Sequence, residues 1–73
     1  MRADIRKQLA EMKERIYELQ RDLSMYLDDE QDDLNAIPED TEEYERQEEI
    51  VTALKDAVDN LEDAMDNIQI AID

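Results

Sequence analysis

The side chains in this chain that could do chemistry are carboxylates. Asp and Glu account for 23 of its 73 residues, against eight Lys or Arg and no His, for a net charge of −15. They are densest between residues 28 and 49, where twelve acids face only Arg46. Three kinds of chemistry use such groups. Asp28, Glu30, Asp32 and Glu39 occupy positions 1, 3, 5 and 12 of a calcium-loop frame, but Asp33 stands at the sixth position, where the sharp turn needs Gly, and Pro38 at the eleventh. Paired carboxylates also serve acid–base hydrolysis, which needs a pocket that a chain with three Tyr, no Phe and no Trp has little means to build. The third use is recognition of a basic surface. Acids held on a rigid scaffold reproduce the charge spacing of a nucleic-acid backbone and occlude a nucleic-acid-binding cleft.

Composition excludes most other chemistry. Without Cys or His there is no disulfide, no thiol nucleophile, no imidazole base and no ordinary ligand set for zinc, haem or an iron–sulfur cluster. Without Gly there is no phosphate-cradling loop. The expected protein is therefore not an enzyme, and it has no catalytic residue, no metal and no cofactor. Its acidity repels phosphate backbones and anionic lipid, so neither direct nucleic-acid binding nor membrane contact is expected. No apolar run approaches the roughly 20 residues of a membrane span, and Met1-Arg2-Ala3-Asp4 leads into no signal-peptide core, which points to the cytoplasm.

The elements that position these acids follow from periodicity. Ile5, Leu9, Met12, Ile16, Leu19, Leu23 and Tyr26 are spaced alternately four and three apart, a heptad seam with Leu9, Ile16 and Leu23 at a and the others at d. Beyond Tyr26 the seam meets Glu30 and Asp33, while Leu27, Leu34 and Ile37 continue an apolar stripe on a shifted face, as a stutter would produce. This predicts a first helix over about 3–35. Pro38 is the only breaker and marks a turn at about 36–40. A second helix over about 41–72 begins at Asp40 or Thr41 as cap, Asp40 and Glu43 having the spacing of a capping box. Its seam runs through Tyr44, Gln47, Val51, Leu54, Val58, Leu61, Met65, Ile68 and Ile72.

Folded back at Pro38, the two seams pair with residue numbers that sum to 77. Leu9 meets Ile68, Met12 meets Met65, Ile16 meets Leu61, Leu23 meets Leu54 and Tyr26 meets Val51. The predicted fold is thus all-α: a single-domain antiparallel helical hairpin over residues 1–73. Arg2, Arg6, Lys7 and Lys13 would then lie beside Glu62, Asp63, Asp66 and Asp73 and favour this register by opposite charge. Two helices bury little, and the column Ile50, Ala57, Ala64 and Ala71 widens the apolar face of the second helix. Ile70, Leu27, Leu34 and Tyr17 are also left outside the seam. Self-association into a four-helix bundle or larger homo-oligomer is expected.

Asp28, Asp29, Asp32, Asp33, Glu42, Glu45 and Glu49 are the candidate partner-binding acids of the hairpin tip. Tyr26, Tyr44 and Arg46 are candidate anchors beside them. Arg46 is also spaced for ordinary helix pairs with Glu42 and Glu49. At Ile37-Pro38-Glu39, Glu45-Arg46, Ala57, Leu61-Glu62-Asp63-Ala64 and Asp66-Asn67-Ile68 the chain resembles a family of small acidic helical proteins of phages and mobile elements in gut Firmicutes. Tyr44 stands where members carry Ser, and Gln47 where they carry Gly. The resemblance implies an uncharacterised phage or mobile-element accessory protein and supplies no activity. Two function classes follow. One is a decoy or counter-defence protein whose acidic surface blocks a basic cleft of a host or phage protein. The other is a structural coiled-coil module that acts through its apolar face.

Overall fold

The structure, a computed structural model, describes all 73 residues. Two helices, α1 (Ala3–Asn35) and α2 (Glu42–Ile72), pack against each other as an antiparallel hairpin without strands. The rod measures 55 × 15 × 12 Å between Cα extremes, so its core is a single seam.

The turn is made without Gly or any positive φ. The Ala36 N–H donates to the Asp33 carbonyl and that of Ile37 to Leu34, both at 3.1 Å, tightening the last turn of α1. Pro38 then has no N–H to continue the ladder. Thr41, in extended geometry, opens α2: its Oγ1 accepts from the Tyr44 N–H at 3.1 Å and donates to the Pro38 carbonyl at 2.8 Å. Of the two candidate caps Thr41 takes the role, and Asp40 lies one residue too early for its capping box. Glu42, Glu43 and Glu45 fill the first turn of α2, at the positive end of its macrodipole.

The register is the predicted one. Gln47 Nε2 donates to the Glu30 carbonyl at 2.9 Å and to Glu30 Oε2 at 2.6 Å, and these residue numbers sum to 77. The face of α1 is different. Its buried or half-buried positions include Leu9, Lys13, Ile16, Gln20, Leu23, Leu27, Glu30 and Leu34, the a and e columns, from near the root to the tip. Met12, Leu19 and Tyr26, predicted as d-column core, are 49%, 57% and 59% exposed. Relative to the predicted seam α1 is turned about its axis by about 50°, half a residue step. Leu34, expected outside the seam, is instead one of the three buried residues, with Val51 and Met65. Leu27 is half-buried, whereas Tyr17 and Ile70 are exposed as expected.

The cause lies at the tip. Column d ends in Asp33, and column e ends in Leu27 and Leu34. Burying an unpaired carboxylate costs several kcal/mol, whereas burying a Leu gains about 2 kcal/mol. A helix that keeps one face along its length carries that choice to the root, where Lys13 and Gln20 enter the seam. Both are satisfied there: Lys13 Nζ donates to Gln69 Oε1 at 2.7 Å, and Gln20 Nε2 to Glu62 Oε2 at 2.9 Å and the Val58 carbonyl at 3.0 Å. No buried side-chain nitrogen or oxygen is left without a partner. The expected cross-arm ion pairs do not form. The one ion pair, Arg2 Nε to Asp4 Oδ1 at 3.5 Å, is local and exposed. Apolar layers and amide hydrogen bonds, not charge, hold the register.

Candidate functional site

The structure brings the candidate acids to one end of the rod but not to one face. Asp28, Asp29, Asp32 and Asp33 are exposed on the last turns of α1, and Glu42, Glu45 and Glu49 are exposed on the first turns of α2. Between them the seam is occupied by Glu30, Leu34, Gln47 and Val51, so the seven carboxylates point away from it and surround the tip. Glu30 is drawn inward by Gln47 and withdrawn from that surface. None of the seven makes an ion pair or a side-chain hydrogen bond. Residues 28–35 are helical, so the calcium-loop frame does not exist as a loop, and no cluster of acids is placed to hold a metal ion.

The anchors separate. Tyr44 is half-buried in the first turn of α2, Tyr26 is exposed, and Arg46 is exposed with no carboxylate within 4 Å. The pairs of Arg46 with Glu42 and Glu49 are therefore not formed.

A second surface emerges from the rotation of α1. The Lys13–Gln69 and Gln20–Glu62 bonds mark one flank of the seam. Met12 and Leu19 precede Lys13 and Gln20 by one residue, about 100° back around the helix, and lie on the other flank. Ala57 and Ala64 precede Val58 and Met65 in the same way. Because α2 runs in the opposite direction and is met from the opposite side, both displacements lead to the same flank. Met12 thus lies beside Ala64, Leu19 beside Ala57 and Tyr26 beside Ile50, each pair summing to 76. Ala57 and Ala64 are half-buried at the floor of this flank; Ile50 and Ala71 are exposed. Sequence reasoning assigned Met12 and Leu19 to the core and missed them here. The available signal was the e-column run Leu27, Leu34, which it attributed to a stutter.

The opposite flank carries an open groove of about 560 Å³ near the root, lined by Lys13, Tyr17, Arg21, Met65, Gln69 and Ile72 among others. It offers aliphatic and aromatic walls with two cations, Lys13 and Arg21, and two carboxylates, Glu14 and Glu18, among its lining, and it contains no nucleophile paired with a base. No helix is long and apolar enough to cross a membrane. No family model matches the chain, nor does any curated protein or solved structure.

Proposed function

We propose that the hairpin is a non-enzymatic binding protein and that its working surface is the apolar flank of Met12, Leu19, Tyr26 and Ile50. The observation that carries this reading is their exposure, in a rod with only three buried side chains. A contiguous apolar patch beside so small a core marks an interaction surface rather than scattered exposed residues. The hairpin then serves as a coiled-coil assembly module, and the acidic tip keeps it dispersed. Retention of a partner from the native host should be lost on Leu19→Glu and kept when the tip acids become Asn. The reverse pattern overturns this reading.

A second reading has its own observation: seven tip carboxylates are exposed and unpaired. On it the protein is a decoy for a basic, nucleic-acid-binding cleft, in keeping with its resemblance to accessory proteins of phages and mobile elements. Salt separates the two. A decoy complex weakens steeply as ionic strength rises, whereas apolar assembly of chains of charge −15 holds or strengthens as their repulsion is screened.

A further inference from the structure

We infer that the apolar flank is covered by a second copy of the hairpin. The two copies are related by a two-fold axis that crosses the rod at Leu19 and Ala57, giving a four-helix bundle with its acidic tips at opposite ends. This rests on the reading that the flank is the working surface, and it names the occupant and its orientation.

Three observations converge on it. The first is self-complementarity. About that axis Leu19 meets Leu19 and Ala57 meets Ala57, Met12 faces Tyr26 of the second copy, and Ile50 faces Ala64. On the α2 side Ala57 meets its own copy and Ile50 meets the small Ala64, so the α2 helices can approach closely, and on the α1 side the long side chains fill the space across the axis. In the same register the next α1 column sets Arg15 against Asp22 of the second copy, twice by symmetry. Opposite charges thus border the apolar centre. Every helix in the bundle has antiparallel neighbours, the arrangement in which macrodipoles attract.

The second is area. On this flank α2 carries no charged residue from Ile50 to Ala71, with Ala53, Asn60 and Asn67 beside the Ala column. That strip is about 30 Å long at 1.5 Å per residue. Over the 15 Å breadth of the rod, α1 side chains included, it gives roughly 450 Å² per copy, or about 900 Å² for both, close to the roughly 1,000 Å² at which specific interfaces begin. The charge-free strip also offers nothing to a basic partner, whose natural target on this molecule is the tip.

The third is electrostatic. Residues 28–49 hold twelve acids and Arg46, a net charge of −11. A two-fold axis along the rod would place two such tips side by side, and an axis across the rod separates them by the length of the molecule.

The test combines sedimentation with cysteine cross-linking of the full chain. Wild type should sediment as a dimer. Leu19→Glu, which places like charges together at the axis, should weaken association roughly 100-fold while helicity by circular dichroism is retained. Under mild oxidation Leu19→Cys should give covalent dimer readily, because that residue meets itself. Tyr26→Cys and Ile70→Cys should not, and an equimolar mixture of Met12→Cys and Tyr26→Cys should give the mixed dimer. A monomer at millimolar concentration overturns the inference; if Leu19→Glu still abolishes capture of another protein, the proposed working surface stands with a different occupant. A dimer that cross-links through Ile70→Cys in preference to Leu19→Cys overturns both.

Discussion

Two polar residues on the hairpin seam show how local chemistry fixes the geometry. Gln47 is the one amide in the α2 stripe, and its Nε2 satisfies both the carboxylate and the backbone carbonyl of half-buried Glu30. Replacing Gln47 with Leu strands that carboxylate and should destabilise the hairpin by about 1–3 kcal/mol in urea unfolding. Changing Glu30 and Gln47 together to Leu should recover the loss and raise the melting temperature above wild type, since a matched apolar pair leaves nothing unsatisfied. A double variant no more stable than the single one would show that the pair does not interact. Thr41 makes a second local claim. Thr41→Ala removes the acceptor for the Tyr44 N–H and should cost about 1 kcal/mol, while Asp40→Ala should change stability by no more than a few tenths of a kcal/mol. Equal losses at both positions would restore Asp40 as a cap.

The rotation of α1 has a measurable consequence, because it exchanges which Leu and Met side chains hold the hairpin together. Leu34→Ala opens a cavity in the tip-proximal core and should cost about 2–4 kcal/mol. Met12→Ala, at protein concentrations low enough to suppress association, should cost less than about 1 kcal/mol. The predicted heptad seam demands the opposite order, so a denaturation series on these two variants decides between the faces. At higher concentration the ranking should shift toward Met12, because its contribution is then made between copies and not within one.

Charge acts on the rod as a body. A net −15, of which −11 lies in residues 28–49 at one end, works against compaction, and the last turn of α1 holds no basic side chain to offset the negative end of its macrodipole. Melting temperature should therefore rise with added salt. Asp28, Asp29, Asp32 and Asp33 changed to Asn should be at least as stable as wild type and show a flatter salt dependence. If the tip is a recognition surface, the same variant should capture a basic partner more slowly at low salt, because neutralising exposed charge acts chiefly on association rate. Unchanged capture would leave the tip with the task of solubility alone.

Periodicity, the lone proline and the constant sum of paired positions were enough to read the hairpin, its turn and its register from the chain. These are local or additive properties: apolar spacing sets each helix, Pro38 ends one of them, and antiparallel folding about a fixed point leaves only one arithmetic. The face that α1 turns inward was not legible in the same way. Its d column is the more apolar over three heptads, and its e column is the better over the last two turns. Only the packed hairpin weighs Asp33 against Leu34 at the tip, and Lys13 and Gln20 against their amide and carbonyl partners on α2. Because a straight helix applies one rotation to its whole length, that comparison at one end turned Met12, Leu19 and Tyr26 out of the seam and created the flank beside Ala57 and Ala64.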